Sequence, residues 1–256
     1  MIETIDYSPA PQLMHDRTVL ITGAGDGIGR AVSLALAHQG ATVVLLGRTG
    51  DKLAKVSDEI VSSGAPQPAI LEADLEKLTW DEYLALAEAL KNEFGRLDGL
   101  LHNASILGDR APIEHYDPMT WHRVMHVNVG AAFLLTRATL DLLKQSPDPA
   151  ILFTSSGVGR SGRAFWGAYA VSKFATEGFM QVLADEMTGM RINCINPGPT
   201  RTSMRAAAFP GEDPKNPAEP ETLVNAYLYL LGPDSAGISG RSFDAQGAGA
   251  AKPQQR

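Results

Sequence analysis

Short runs of apolar and β-branched residues alternate along this chain with longer segments in which apolar residues recur every three or four positions. The short runs have the length of buried strands, and the longer segments have the period of amphipathic helices. The pattern predicts strands over 18–23, 42–47, 68–73, 98–103, 150–155, 191–196 and 241–245. It predicts helices over 27–39, 50–63, 79–93, 117–145, 163–189 and 218–231.

Strands that alternate with helices are typical of right-handed βαβ units, which build a parallel sheet with helices on both faces. The predicted fold class is therefore α/β, a doubly wound, Rossmann-like parallel sheet of seven strands. A chain of 256 residues can bury a sizeable core and shows no linker, so 1–256 is predicted to be a single domain. The ends, 1–12 and 247–256, have the composition of flexible tails.

One segment, 203–221, interrupts the alternation because it carries four prolines. A regular helix through its second half is therefore not expected. The segment follows a predicted strand at the edge where doubly wound sheets bind their ligands. It is interpreted either as a plain surface loop or as a lid over a substrate.

Composition narrows the class of partner. A net charge of −7 argues against nucleic acid or an anionic membrane. The N-terminus lacks a signal-peptide pattern and the chain lacks a long apolar stretch, so a cytoplasmic protein is expected. The single cysteine, Cys194, excludes an internal disulfide framework and lies in an apolar run, where a buried and inert thiol is expected.

A glycine-rich turn joins the first predicted strand to the first predicted helix. Glycines let the backbone approach a pyrophosphate closely, and the N-terminus of the helix presents free N–H groups to it. An ordinary turn is the alternative, but the order of strand, glycines and helix favours a dinucleotide site. The residues of this turn are Thr22, Gly23, Gly25, Asp26, Gly27, Ile28 and Gly29.

Tyr169 and Lys173 are four residues apart in a predicted helix, so the phenol and the ammonium share one face. A cation beside a phenol stabilises the phenolate and lowers the phenol's pKa from about 10. Such a phenol can donate a proton to a carbonyl oxygen as a general acid. A solvated pair is the alternative for this spacing alone, but Ser156 lies directly after a predicted strand, 13 residues upstream of Tyr169.

Together these residues resemble the short-chain dehydrogenase/reductase family in its single-domain form, over about 17–246. Segments 162–169 and 193–198 are further similar to a branch of uncharacterised, enterobacterial-type oxidoreductases. The resemblance implies a catalytic set of Asn128, Ser156, Tyr169 and Lys173. It implies that a nicotinamide dinucleotide is bound by the glycine turn and by Asp74, Leu75, Asn103, Ala104, Tyr169, Lys173, Pro197, Gly198 and Thr202.

The resemblance also implies a role for each catalytic residue. Tyr169 would donate the proton, Ser156 would hydrogen-bond the carbonyl oxygen, and Lys173 would bond the nicotinamide ribose. Asn128 would hold a water that links Lys173 to solvent; without the resemblance, it would be a polar residue that satisfies backbone groups in a long helix. Ser155 is expected to be a bystander, because neighbouring residues of a strand point to opposite faces.

Three features depart from the family pattern. His102 replaces the first Asn, and Ser105 the Gly, of the family's Asn-Asn-Ala-Gly motif. Strain is expected at Ser105 if its backbone must take a shape that glycine allows freely. The segment 243–247 lacks the usual Asp-Gly-Gly, which is expected to alter subunit contacts.

The end of the second predicted strand bears on the choice of cofactor. NAD-preferring sheets place a carboxylate there to bind the ribose hydroxyls, whereas this chain has Gly47 followed by Arg48. A guanidinium can hold a 2′-phosphate, so the sequence favours NADP(H) over NAD(H). The alternative is a solvated Arg48 at the start of a helix, with Asp51 close by.

The leading hypothesis is an NADP(H)-dependent oxidoreductase that interconverts a small-molecule carbonyl and an alcohol. The alternatives are an NAD-dependent alcohol dehydrogenase and a non-catalytic dinucleotide-binding sensor or scaffold. No metal site is expected, because His122 and His126 have no acidic or cysteine partner at suitable spacing. Trp166 is assigned either to the substrate pocket or to packing. The resemblance implies a homodimer or homotetramer that pairs through helices 117–145 and 163–189.

Overall fold

The computed structural model describes residues 3–247, in which eight parallel strands form one sheet. The strands lie in the order β1-β8-β7-β6-β5-β2-β3-β4, so the chain winds outwards in both directions from the β2–β5 pair. Their bounds are Glu3–Thr4 (β1), Thr18–Thr22 (β2), Thr42–Gly47 (β3), Ala69–Glu72 (β4), Gly99–His102 (β5), Ala150–Thr154 (β6), Arg191–Asn196 (β7) and Ser242–Asp244 (β8).

Helices connect the strands and cover both faces of the sheet. Short 3₁₀ turns also occur, two of them at Gly157–Gly159 and at Pro220–Leu223. The α-helices are Gly27–His38 (α1), Gly50–Ser62 (α2), Trp80–Phe94 (α3), Pro118–Met125 (α4), Ala131–Leu143 (α5), Gly167–Glu186 (α6), Ser203–Ala208 (α7) and Val224–Leu231 (α8).

The two faces of the sheet carry separate cores, and this explains the apolar runs in the sequence. On β2, Val19 and Ile21 point into a core with residues of α1 and α8. Leu20, between them, points into the opposite core with residues of α3, α5 and α6. Because both faces of a central parallel strand are buried, such strands are almost continuously apolar rather than alternating.

The predicted α/β class and the parallel, doubly wound sheet are confirmed, but the predicted count of seven strands is wrong. Residues 3–12 were expected to belong to a flexible tail, yet Glu3 and Thr4 form an edge strand beside Phe243 and Asp244 of β8. The Tyr7 hydroxyl also donates to Asp234 at 2.6 Å. A two-residue strand has no periodicity, so sequence alone does not reveal it. Residues 1–2 and 248–256, which were also expected to be flexible, lie outside the described residues.

The helix predicted over 117–145 is not one regular α-helix. A π-helical turn at His126–Gly130 separates α4 from α5, and Asn128 lies at its centre. The helix predicted over 163–189 begins later, at Gly167, and the one over 218–231 has a 3₁₀ first turn. Within residues 3–247, no helix combines the length and the apolar character needed to cross a bilayer.

Candidate active site

A cleft opens where the carboxyl ends of β2, β5, β6 and β7 meet. It has a volume of about 390 Å³ and shares a wall with a second cavity, of about 290 Å³, beside the end of β3. The predicted site residues that line the cleft are Gly23, Asp26, Gly27, Ile28, Asn103, Ala104, Ser156, Tyr169, Lys173, Pro197, Gly198 and Thr202. Gly25, Arg48, Asp74 and Leu75 line only the second cavity, whereas Gly23, Asp26 and Ala104 line both. Thr22, Gly29 and Asn128 line neither and lie behind the walls.

The glycine turn is packed so tightly that side chains are excluded from it. A Cβ at Gly29 would collide with the carbonyl of Gly23 and lie 2.7 Å from Asn103 Nδ2. Gly23 itself has φ +69°, in the left-handed region that favours glycine. Thr22 Oγ1 accepts hydrogen bonds from the N–H groups of Asn103 and Ala104, both at 3.0 Å. Thr22 therefore fixes the loop after β5 against the turn.

Asp26 caps helix α1 at the floor of the cleft. Its carboxylate accepts the Gly27 N–H at 2.7 Å and pairs with Lys52 Nζ at 2.6 Å. The hydrogen bond from Lys52 lowers the pKa of Asp26. Lys52, in the first turn of α2, lines the second cavity together with Arg48, which precedes that helix. Two cations thus face this cavity. Sequence analysis missed Lys52, because Arg48 lies before the helix and the i,i+4 rule does not relate the two residues.

Tyr169 and Lys173 lie on the buried face of α6, and their side chains reach the same cleft. Lys173 Nζ donates to the carbonyl of Thr154 at 2.8 Å and lies 5.6 Å from the centre of the Tyr169 ring. The helical spacing thus places the ammonium beside the phenol, and the end of β6 holds the ammonium in position.

The expected lowering of the tyrosine pKa is wrong for this structure. Burial raises the pKa of Tyr169 to about 12, and the neighbouring Ser156 hydroxyl offsets this only in part. Burial also lowers the pKa of Lys173 to about 8. The sequence argument considered only the attraction between charges, whereas both groups are almost fully enclosed and burial disfavours the charged form of each.

Ser155 and Ser156 point in different directions, as strand alternation predicts. Ser156 lines the cleft next to Tyr169. Ser155 Oγ instead donates to Glu177 Oε1 at 2.5 Å. Arg160, in the turn after Ser156, binds the same carboxylate oxygen at 3.0 Å and Asp244 at 2.7 Å. The turn that carries Ser156 is therefore clamped to both α6 and β8.

Asn128 connects three elements from within the π-helical turn. Its Oδ1 accepts the Ile106 N–H at 2.8 Å, and its Nδ2 donates to the Ile106 carbonyl and to Ser172 Oγ, both at 3.0 Å. It thus satisfies backbone groups, though those of the loop after β5 rather than of its own helix. A small cavity of about 10 Å³, which has room for about one water, lies between Asn128 and Lys173.

The segment after β7 forms the wall opposite the glycine turn. Gly198 has φ +71°, and Thr202 caps α7 by accepting the Arg205 N–H at 3.1 Å. Gln246 Nε2 donates to the carbonyls of Pro197 and Pro199, at 2.7 and 3.0 Å. The unusual C-terminal segment therefore fixes this wall from outside, a role that sequence analysis did not anticipate.

The outer end of the cleft is lined by residues from three separate loops. Trp166 is one of them, and its ring centre lies 5.7 Å from that of Tyr169, so it both lines the pocket and packs there. Sequence analysis did not single out the others individually, because no motif links positions that lie far apart in the chain. They include Leu107, Val158, Arg163, Arg205 and Phe209.

The short chain dehydrogenase family profile matches residues 17–213. The uncharacterised oxidoreductase YciK of Escherichia coli K12 is 51% identical over 241 residues, which cover 94% of this chain and 96% of that protein. A short-chain dehydrogenase structure from Shigella flexneri 2a, complexed with NADP, is 50% identical with a TM-score of 0.91. One from Escherichia coli CFT073, complexed with NADPH, is 51% identical with the same TM-score. Each match covers 93% of this chain and 100% of the chain in the other structure.

The chain belongs to the short-chain dehydrogenase/reductase family. This confirms the resemblance given by the glycine turn and by the Ser156, Tyr169 and Lys173 pattern. It also confirms an NAD(P)-dependent oxidoreductase of that family as the class of enzyme. The roles of individual residues stay predictions.

Ser105 departs from the family motif without the expected strain. The residues other than glycine with positive φ are Gln12, Asp16 and Phe165 within 3–247, and Ser105 is not among them. The condition for strain at Ser105, a backbone shape that favours glycine, is therefore not met. The loop accommodates a side chain there, at a position where both cavities meet.

His102, the other departure from the family motif, is buried and serves as a packing residue. Its ring stacks on Phe153 with centres 4.8 Å apart, and Nε2 lies 2.8 Å from Thr136 Oγ1. Burial lowers the pKa of His102 to about 3, so the imidazole stays neutral near pH 7. This position therefore supplies no charge to the nucleotide site.

Replacing His102 with asparagine, the family residue, is expected to make stability less sensitive to acid. The unfolded chain protonates His102 near pH 6.5, whereas the folded chain does so only near pH 3. The free energy of unfolding therefore decreases as the pH falls below 6.5, by up to about 1.4 kcal/mol per pH unit. Urea unfolding at pH 7 and pH 5 measures the effect, and the loss between them should be about 2 kcal/mol smaller in the variant. Equal losses in both proteins would contradict the neutral, buried state.

The histidine pair and the cysteine considered from the sequence lie in contrasting environments, the first exposed and the second buried. His122 and His126 are exposed, and no group of three histidine, cysteine or acidic side chains that could hold a metal occurs within 3–247. Cys194 is fully buried, and burial raises the pKa of its thiol well above the usual value. Such a thiol is a poor nucleophile.

Proposed function

We propose that this protein is an NADP(H)-dependent oxidoreductase that interconverts a carbonyl and an alcohol by hydride transfer. The observation that carries this proposal is the convergence of Ser156, Tyr169 and Lys173 in one cleft beside the glycine turn. The side-chain-free turn at Gly23 and Gly29 fits a pyrophosphate that approaches the N-terminus of α1. A bound nicotinamide supplies or accepts the hydride.

The chain's own residues handle the proton. In carbonyl reduction, Tyr169 donates a proton to the developing alkoxide, and its raised pKa keeps the phenol protonated at neutral pH. Ser156 donates a hydrogen bond to the same oxygen and fixes its position. In alcohol oxidation, the phenol must first lose its proton, and the ammonium of Lys173 favours the phenolate by charge.

Asn128 is proposed to support proton replacement rather than to touch the substrate. The small cavity between Asn128 and Lys173 supports this proposal, because it has the size for one water beside the ammonium. Lys173, whose pKa burial lowers to about 8, would exchange a proton with that water. The hydrogen bonds of Asn128 to Ile106 and Ser172 hold its amide in place for this role.

Two observations support NADP(H) over NAD(H). The relatives from Shigella flexneri and Escherichia coli described above are complexed with NADP and NADPH. In this chain, β3 ends in Gly47 without a carboxylate, and Arg48 and Lys52 line the adjoining cavity. Three acidic residues also line this cavity, and each is paired with a cation: Asp26 with Lys52, Asp74 with Lys77 and Glu76 with Arg123. The cavity therefore suits a 2′-phosphate.

Replacing Arg48 with alanine is expected to weaken NADPH binding about tenfold or more and to leave NADH binding nearly unchanged. A charge-assisted hydrogen bond to a phosphate contributes roughly 1.5–3 kcal/mol, which NADH does not gain. Lys52→Ala should cause a larger loss for NADPH, because it also leaves the Asp26 carboxylate unpaired. Titration of each protein with both nucleotides, followed by nicotinamide fluorescence, measures the two constants.

Lys55→Ala is the matched control. Lys55 is an exposed lysine on α2, the helix that carries Lys52, and it does not line the cavity. This variant should bind both nucleotides as the wild type does. Equal weakening of NADH and NADPH by Arg48→Ala would contradict a phosphate role and would favour an NAD-dependent alcohol dehydrogenase. If the wild type binds neither nucleotide, the enzymatic proposal fails. Binding without turnover of any carbonyl would favour a dinucleotide-binding sensor.

A homodimer or homotetramer is proposed as the assembly. Large apolar side chains are exposed on α5 and α6, among them Phe133 at 47%, Phe174 at 45% and Val182 at 57%. Apolar surface of this kind supports an interface between copies of this chain.

The segment 203–221 is proposed as the substrate lid, because Arg205 and Phe209 within it line the cleft. Localisation in the cytoplasm stays a prediction from the sequence.

A further inference from the structure

The outer end of the cleft is positively charged, although the protein as a whole carries a net charge of −7. Arg163 and Arg205 line this end. The one acidic side chain among the described residues that line the cleft is Asp26, which lies on the glycine turn and is paired with Lys52. A substrate that extends outwards from Tyr169 therefore meets arginines and no carboxylate in the wall of the cleft.

Two of the three arginines near this end are already engaged. Arg205 forms a bidentate pair with Glu212, with both distances 2.6 Å, and its guanidinium lies 3.8 Å from the centre of the Phe209 ring. The guanidinium of Arg110 lies against the rings of both Trp166 and Phe209, 4.8 and 4.9 Å from their centres, and donates to the carbonyl of Ala208. These contacts build a rigid aromatic wall.

Arg163 differs from both. Within residues 3–247 it has no carboxylate within 4 Å and donates no side-chain hydrogen bond, and it lies at the mouth of the cleft. It stands three residues before Trp166, in the loop that leads into α6. Arg163 is exposed and also borders a neighbouring surface cavity, beside Phe165. An arginine that lines a cleft and has no partner among the described residues keeps its planar fork of N–H donors available to a ligand.

The surface between Tyr169 and Arg163 is apolar. Val158 and Tyr169 form a small core cluster, against which Leu107 and Trp166 pack. All four line the cleft. A substrate body on this surface would be apolar and, beside the indole of Trp166, planar groups would pack well.

We infer that the substrate is a carboxylate-bearing carbonyl compound whose apolar body lies against Trp166 and whose carboxylate binds Arg163. This inference rests on the proposed function, because it needs the carbonyl at Tyr169. The guanidinium of Arg163 and a carboxylate form two parallel hydrogen bonds, which fix the far end of the substrate. Ser156 and Tyr169 fix the near end, so the carbonyl carbon is held in one orientation.

The test uses aryl ketones that carry a carboxylate on linkers of increasing length, each paired with its primary amide. The wild type, with saturating NADPH, should show a KM for at least one acid that is about tenfold or more below that of its amide. In Arg163→Gln, kcat/KM for that acid should fall to the value for its amide, because the variant no longer distinguishes the two. Arg163→Glu should reverse the preference and favour ketones that carry an amine.

Arg241→Gln is the control, because Arg241 is an exposed arginine that pairs with Glu3 at 3.3 Å and does not line the cleft. It should keep the preference for the acid. If the wild type reduces amides as readily as acids, the inference is wrong while the proposed function stands. If Arg163→Gln weakens NADPH binding as much as acid binding, Arg163 belongs to the nucleotide site and the inference is again wrong.

A binding measurement keeps the inference testable when none of the ketones is reduced. Calorimetry of the NADPH complex with each acid and its amide measures affinity without turnover. Tighter binding of the acid, lost in Arg163→Gln, would support the inference. Equal binding of acid and amide, or equal loss in Arg241→Gln, would overturn it. Failure to form the NADPH complex would instead contradict the proposed function.

Discussion

Replacing Tyr169 with phenylalanine is expected to lower kcat for carbonyl reduction by about a hundredfold to ten-thousandfold, which is the usual contribution of a positioned general acid. The dissociation constant for NADPH should stay near its wild-type value, because the ring that packs on Trp166 is kept and only the hydroxyl is lost. Single-turnover reduction and a nucleotide titration on the same preparation measure the two quantities.

Tyr227→Phe is the matched control for this experiment. Tyr227 is fully buried behind β6, with its hydroxyl 3.5 Å from Thr154 Oγ1, and it does not line the cleft. Loss of that hydroxyl should leave kcat nearly unchanged. If Tyr169→Phe weakens NADPH binding as much as it lowers kcat, the hydroxyl serves the nucleotide and the assigned role is wrong. If kcat stays at the wild-type value, another group donates the proton.

The architecture of this site was largely predictable because its parts follow local rules. The strand, glycines and helix around Gly23 and Gly29 are continuous in the chain, and backbone geometry restricts those positions to glycine. Tyr169 and Lys173 are four residues apart on a helix, so their meeting follows from helical geometry alone. Both serines border the cleft, but strand alternation turns their side chains apart, Ser155 towards Glu177 and Ser156 towards Tyr169.

What the sequence did not predict depends on contacts between distant segments. The edge strand Glu3–Thr4 has no periodicity of its own and is defined by its partner β8. The outer end of the cleft joins Arg110, Trp166 and Phe209, which come from three loops and share no motif. Their meeting depends on how the loops pack, which the pattern of apolar positions does not encode.

The prediction of a lowered pKa for Tyr169 was wrong for a different reason. From the sequence, the proximity of Lys173 to Tyr169 is evident but the extent of burial is not. In the fold, each side chain is less than a tenth exposed, and burial moves the pKa values of the two groups apart, to about 12 and about 8. Desolvation opposes both charged forms and here outweighs their attraction. A residue pair therefore indicates which groups meet, whereas the surrounding fold decides their protonation.

Replacing Arg160 with methionine is expected to lower the free energy of unfolding by about 3 kcal/mol. Methionine keeps the apolar stem but leaves the carboxylates of Glu177 and Asp244 without the cation that binds both. Removing one partner of a buried ion pair typically costs roughly 3–5 kcal/mol, and the lower end applies because Asp244 is partly exposed. Urea unfolding at pH 7 measures the change.

Arg241→Met is the control, since its pair with Glu3 is exposed and should contribute less than about 1 kcal/mol. The double variant Arg160→Met with Glu177→Gln should recover part of the lost free energy of unfolding, because it removes one of the two carboxylates left without a cation. Arg160 also clamps the turn after Ser156, so kcat should fall in Arg160→Met and recover partly in the double variant. A loss of stability no larger than in Arg241→Met would mean that β8 and α6 hold this turn without the ion pairs.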